Sequence, residues 1–192
     1  MLPPRSDLHF LLFDWLKAES LSGSPEFNHL DRESIEAMID AALALASAEF
    51  LSHAAKSDAN PPVIVDGQVK IIPEVAQALD AYREAGFFGM QTPLAEGGLG
   101  LPYTVVSVIG AVFSAANIAT NGYAFLTSAA ANLIREAGSK QQKQRYLPAM
   151  VDGRWYGTMC LSEPQAGSSL ADIRTIAEPL PDGRYSLRGN KM

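Results

Sequence analysis

The chain has 192 residues, 47% hydrophobic and 19% charged, which is the balance of a globular protein and excludes a disordered or collagen-like one. Lys and Arg number 15 against 21 Asp and Glu, so at a net charge of -6 there is no basic face for a run of phosphates and no nucleic-acid partner is expected. Cys160 is the single cysteine and closes no intramolecular disulfide, and the scattered His9, His29 and His53 have no metal-ligand spacing, so no metal site is expected. The amino-terminal apolar stretch is interrupted by Asp14 and makes a poor signal peptide, which leaves the cytoplasm as the expected compartment.

A first helix is predicted from about Asp7 to Ser20, with Leu8, Leu11, Leu12, Trp15 and Leu16 at helical spacing. Asp31 is placed to cap a longer helix ending near Lys56, whose Ile35, Met38, Ile39, Ala42, Ala46 and Phe50 share one side. After Pro61 and Pro62, the run Val63 to Val69 reads as a small hairpin turning on Asp66-Gly67. Pro73 and Glu74 open a third helix with Val75, Leu79 and Tyr82 inward and Gly86 as its left-handed C-terminal residue.

From Gly97 to Ile134 there is no charged residue, long enough to raise the question of a membrane span. The stretch is diluted by Pro102, Asn117, Thr120, Asn121, Ser128 and Asn132, and its small residues suit closely packed helices. Two buried helices are therefore predicted, Tyr103 to Ala116 and Thr120 to Ala137, and no span. Ser139-Lys140-Gln141-Gln142 has the form of a capping box, so another helix starts there and ends at Gly153.

From Trp155 to Leu161 a short apolar, aromatic run reads as a strand, and Ile173 to Glu178 and Tyr185 to Lys191 show further period-two stretches around a Pro179 to Gly183 turn. The chain thus divides into a helical part, 1–153, and the start of a β-domain, 154–192. Gly97-Gly98-Leu99-Gly100 lacks dinucleotide-fingerprint spacing and reads as a tight loop entering a buried helix. The segment Met159 to Ser169 carries the chemistry: a hydroxyl at Ser162, a turn at Pro164, close backbone approach at Gly167, and hydroxyls at Ser168 and Ser169. Amides and hydroxyls presented together suit an acceptor-rich ligand such as a pyrophosphate or the pyrimidine edge of a flavin, and an ordinary strand-loop-helix connection uses the same residues.

Ser162-Glu163-Pro164-Gln165-Ala166-Gly167-Ser168 resembles the Thr/Ser-Glu-Pro-x-Ala-Gly-Ser signature of the acyl-CoA dehydrogenase family. Three further blocks in order resemble it too: Gly86-Phe87-Phe88-Gly89 with Pro93 to Gly100, Gly138-Ser139 with Gln142 to Pro148, and Tyr185 to Met192. The segments Phe10 to Leu16 and around Asp66 resemble the long branch that includes 3-methylmercaptopropionyl-CoA dehydrogenases.

The resemblance implies a mainly α fold, a helical amino-terminal domain followed by the first strands of a β-barrel-like middle domain, with FAD bound at their junction. It implies oxidation of an acyl-CoA to its trans-2-enoyl-CoA, electrons passing to an electron-transfer flavoprotein, and a homo-oligomer. Met159, Leu161 and Ser162 would line the isoalloxazine, Gly167 and Ser168 the pyrophosphate or the CoA arm, and Asn121, Gly122, Phe125 and Ala129 the acyl chain, although core packing also explains that helical stripe.

Glu163 is expected to be structural, because the family takes its base from a later carboxy-terminal domain; no catalytic residue is assigned. Ser169 stands where the family commonly has Asp, and either side chain can cap a helix. A chain resembling only the first part of a dehydrogenase is expected to bind FAD weakly or not at all, to be inactive alone, and to self-associate. An acyl-CoA oxidase shares these motifs and would differ by consuming oxygen. A non-catalytic helical interaction module would show no spectral response to acyl-CoA.

Overall fold

A computed structural model describes all residues, Met1 to Met192. It divides into two units, Met1–Gly157 and Thr158–Met192.

In the first unit, α1 (Arg5–His9) runs into a π-helical turn, Phe10–Trp15, closed by the Leu16 amide on the Leu11 carbonyl at 2.9 Å. The wider turn shifts the phase of the buried face. Leu8 and Leu12 are buried as the periodicity predicts, but Phe13 joins them while Trp15 and Leu16 are exposed. The helix stops short of Ser20 because Lys17 adopts a left-handed conformation, φ 53°. α2 (Arg32–Leu45) starts at a reciprocal capping box between Asp31 and Ser34, and a second π-helical turn, Ala46–Phe50, leads to α3 (Ala54–Ala59). β1 (Val63–Val65) and β2 (Gln68–Lys70) pair antiparallel through a two-residue turn whose Asp66 and Gly67 both have positive φ, 52° and 74°. That is the backbone an Asp-Gly hairpin turn requires. Both strands are exposed.

α4 (Pro73–Glu84) buries Val75, Ala78, Leu79 and Tyr82 and ends at Gly86, φ 76°. α5 (Tyr103–Ala137) meets the length and composition needed to cross a bilayer. In this structure it bends at Asn117 (φ −161°, ψ 94°) and places Val105, Ile109, Val112 and Phe113 in the core, each with no exposed surface. These side chains pack with Phe50, Tyr82 and Phe87; the ring centroids of Phe113 lie 4.8 Å from those of both Phe50 and Tyr82. Each fully buried side chain of this size stabilises the unit by about 1.5–3 kcal/mol.

The bend has its own polar lining. Asn117 Oδ1 accepts from the Thr120 amide at 3.2 Å, which caps the second arm of α5, while its Nδ2 donates to the Phe50 carbonyl at 3.4 Å and to Ser57 Oγ at 3.3 Å. Buried His53 bridges the Glu49 carbonyl at 2.7 Å and Thr120 Oγ1 at 2.9 Å. α6 (Lys140–Val151) begins at a reciprocal Ser139–Gln142 capping box and packs Leu147 and Met150 against Ala131 of α5.

The second unit has one antiparallel pair, β3 (Ile176–Pro179) with β4 (Tyr185–Arg188). The strand predicted over Trp155 to Leu161 is not formed: these residues have no ladder partner. Their β-propensity is that of a half-buried pleated surface, and no neighbouring strand supplies it here.

Candidate functional site

Two features of the chain present uncommitted polar groups beside exposed apolar surface, one in each unit.

The first is a groove of about 450 Å³ between the two arms of α5. Ser107, Gly110, Ala111 and Ser114 come from one arm, and Asn121, Ala124, Phe125, Ser128, Ala129 and Asn132 from the other. The spacings of three and four within each arm keep these residues on one helical face. The small side chains at 107, 110, 111 and 114 leave the space open, with Tyr103 and Val106 lining it at the start of the same arm; a Cβ at Gly110 would meet nothing within 4 Å. Near the bend the arms are tied by Asn121 Nδ2 donating to Ser114 Oγ at 2.9 Å. Tyr82, Met90 and Gln91 complete the wall, and burial pushes the Tyr82 phenol well above its ordinary pKa.

Gln91 stands on a loop held tightly by its own backbone. Gly100 donates to the Thr92 carbonyl at 2.8 Å, and Leu99 and Leu101 donate to Gly89 and Met90 at 2.9 and 2.8 Å. Gly98 is required at the crossing, because a Cβ there would be driven into the Thr92 carbonyl oxygen. From this loop Gln91 Oε1 accepts from Asn132 Nδ2 at 2.7 Å. Arg135 donates to Asn132 Oδ1 at 2.7 Å, to Thr92 Oγ1 at 2.9 Å and to Glu96 Oε2 at 3.0 Å. The arginine is thereby committed to the scaffold, and no charged side chain lines the groove.

The second feature is the segment that opens the second unit. None of the backbone amides from Thr158 to Ser162 donates to another protein group, nor do those of Gly167 and Ser168. Met159 and Leu161 are exposed, 59% and 43%, and the Ser162 hydroxyl makes no protein hydrogen bond. A Cβ at Gly167 would meet open space. Free donors, a hydroxyl and apolar side chains therefore follow one another along a single stretch outside any helix or strand.

Glu163 holds that stretch in shape. Only 3% exposed, its carboxylate accepts from the Arg174 amide at 2.8 Å, the Thr175 amide at 3.0 Å, Gln165 Nε2 at 2.6 Å and Lys191 Nζ at 2.9 Å. Its own backbone exchanges hydrogen bonds with Ala166, and Lys191 also donates to the Leu161 carbonyl at 3.0 Å. Hydrogen bonding by Thr175 first, then by the Arg174 amide and the Lys191 ammonium, holds the carboxyl well below the ordinary glutamate range against the opposing effect of burial. Such a carboxylate has little affinity for a proton and all its acceptor positions engaged. Its geometry is that of a structural clamp.

Of the residues singled out from the sequence, Met159, Leu161 and Ser162 lie on the stretch that opens the second unit, and Gly167 and Ser168 on the bend after it. Asn121 and Phe125 line the groove together with Ala129, whereas Gly122, one position from Asn121, does not. Gln91, Ser107, Ser128 and Asn132 were missed. The groove faces are legible only once the chain is known to bend at Asn117, and Gln91 is brought in by a loop some 40 residues distant from Asn132, 41 by the hydrogen-bond separation.

The chain is similar to known proteins along most of its length. It is 35% identical over 127 residues to the 3-methylmercaptopropionyl-CoA dehydrogenase of Ruegeria pomeroyi, a match covering 66% of this chain and 22% of that protein. It is 30% identical over 187 residues to a broad-specificity linear acyl-CoA dehydrogenase of Mycobacterium tuberculosis, covering 96% of this chain and 30% of the relative. The chain thus spans about a fifth to a third of the length of these relatives. Among solved structures, glutaryl-CoA dehydrogenase from Mycobacterium smegmatis shares the fold with a TM-score of 0.70 at 23% identity, over 91% of this chain and 42% of that one. The family described as acyl-CoA dehydrogenase, N-terminal domain, matches residues 32–154, and the chain belongs to the acyl-CoA dehydrogenase family.

Proposed function

We propose that the chain is the amino-terminal part of an FAD-dependent acyl-CoA dehydrogenase that oxidises an acyl-CoA thioester to the trans-2-enoyl-CoA and passes the electrons to an electron-transfer flavoprotein. The observation that carries this reading is the stretch Thr158 to Ser162, outside any helix or strand, with its unpaired amides and free hydroxyl beside exposed Met159 and Leu161. Those residues fit a flat, acceptor-edged ring: apolar side chains for its face, donors for its edge.

When bound, the flavin supplies the acceptor for a hydride. Met159 and Leu161 would lie against the ring and exclude water from it. The Ser162 hydroxyl and the neighbouring amides would serve as donors to the edge that gains negative charge, and preorganised donors stabilise such charge without reorganising. Gly167 and Ser168 offer free amides, and Ser168 a hydroxyl, to a phosphate of the cofactor or of the CoA arm. In the groove of the first unit, Asn121 and Phe125, with Gly122 beside them, hold the acyl chain. We assign no base within this chain: Glu163 is engaged as a clamp. The homo-oligomer and cytoplasmic location expected from the sequence belong to the same reading, with α5 a core helix and not a membrane span.

The test is an anaerobic titration of the full-length polypeptide loaded with FAD. Saturated acyl-CoA should bleach the yellow flavin band, and substitution of Ser162 by Ala should slow that bleaching about 10²-fold by removing one oriented donor. A full-length protein that holds FAD yet responds to no saturated acyl-CoA would refute the proposal.

A further inference from the structure

A groove meant for a plain alkyl chain should be walled by hydrocarbon, because every polar wall group without a partner loses its water when the chain seats against it. This groove has such a wall over most of its surface, with Met90, Val106, Ala124 and Phe125 in its lining, but polar groups interrupt it. Asn121 is 95% buried (5% exposed) and its Nδ2 is spent on Ser114 Oγ, which fixes the amide plane and leaves Oδ1 with no protein donor. Farther along the same arm the Oε1 of Gln91 is taken by Asn132, and the Gln91 Nε2 donates to nothing in the protein. The hydroxyls of Ser107 and Ser128 likewise make no protein hydrogen bond. Acceptor, donor and two hydroxyls are thus presented to the same space, and none belongs to a charged residue.

We infer that the acyl group this groove takes carries a neutral hydrogen-bonding substituent, such as a hydroxyl or an amide, along its chain. The inference rests on the acyl-CoA reading above and names the class of acyl group within it. A hydroxyl donates to Asn121 Oδ1 or accepts from Gln91 Nε2 and replaces the water each loses. Among the residues of this chain a carboxylate or ammonium finds no counter-charge in the groove, because Arg135, the nearest cation along α5, is already held by Glu96, Asn132 and Thr92. A site built to hydrogen-bond a substrate group rejects the analogue that lacks it far more strongly than an apolar pocket rejects an extra methylene.

The experiment compares octanoyl-CoA with octanoyl-CoA hydroxylated singly at each position from carbon 4 to carbon 8, using the full-length FAD-loaded polypeptide and reading kcat/KM from flavin reduction. One hydroxylated isomer should exceed octanoyl-CoA at least tenfold. In Asn121→Leu, whose fold is checked by its unfolding midpoint, that advantage should vanish and octanoyl-CoA should gain. Octanoyl-CoA oxidised as well as or better than every hydroxylated isomer would overturn the inference and leave the acyl-CoA reading standing. Failure of all of them to reduce the flavin would overturn both.

Discussion

Asn117 does two jobs at the bend of α5, and separating them tests the account of the bend. Its Oδ1 caps the second arm through the Thr120 amide, and its Nδ2 satisfies the Phe50 carbonyl and Ser57 at a site only 7% exposed. Asn117→Ala removes the cap, about 1 kcal/mol. It also leaves a buried carbonyl without its donor, about 1 kcal/mol more because the bond is long. The total is about 2 kcal/mol. Asn117→Ser keeps the cap and loses only the second contribution. Asn117→Asp also keeps a capping oxygen, but it turns a second oxygen on the Phe50 carbonyl in a buried place, at a cost of about 3 kcal/mol. The predicted order is therefore Asn, Ser, Ala, Asp from most to least stable. Urea unfolding followed by tryptophan fluorescence measures it, since Trp15 and Trp155 both lie in the first unit. At a slope of about 2 kcal/mol per molar urea, the alanine variant should shift its midpoint by about 1 M. An aspartate variant as stable as the alanine variant, or more so, would show that capping alone matters and refute the reasoning.

Gly98→Ala should destabilise the first unit by about 3 kcal/mol, because the Thr92 carbonyl that the new Cβ strikes is itself pinned by the Gly100 amide at 2.8 Å; a loss under 1 kcal/mol in the same urea assay contradicts the tight crossing. For Glu163 the folded carboxyl lies below its ordinary value of 4.5, so its stabilisation is fully present above about pH 4.5 and is lost as pH falls through the depressed folded value. Glu163→Gln should therefore be less stable than the parent at neutral pH, and the difference should shrink on acidification below pH 4.5; carbon NMR of the Glu163 carboxyl titrating in the ordinary range would contradict this.

Local signals were the legible ones. The Asp31 cap, the Ser139–Gln142 capping box, the Asp-Gly hairpin and the Gly86 helix end rest on residues within a few positions of one another, where side-chain type dictates backbone conformation. The gap left between Ala116 and Thr120 in the predicted helices is where α5 bends, and Asn117 explains it as a cap. The π-helical turns were not legible: nothing in Phe10 to Trp15 announces an i to i+5 bond, so the face was read as Trp15 and Leu16 where the structure buries Phe13. The Trp155 to Leu161 strand failed because propensity describes a half-buried pleated surface and says nothing of whether a partner strand is present. Motif resemblance led to Ser162, Gly167 and Ser168, yet the four donors that immobilise Glu163 come from positions 165, 174, 175 and 191, which only folding assembles.

The groove's two walls keep step with each other on either side of the bend: Ser114 is tied to Asn121, and farther out Ser107 and Ser128 each stand seven residues beyond them. Alignment of this kind is sensitive to residue number and tolerant of residue type. Losing one position from either arm turns everything beyond it by about 100° and carries those side chains off the cleft. Among natural variants of this region, changes of side chain should therefore be common and changes of length rare.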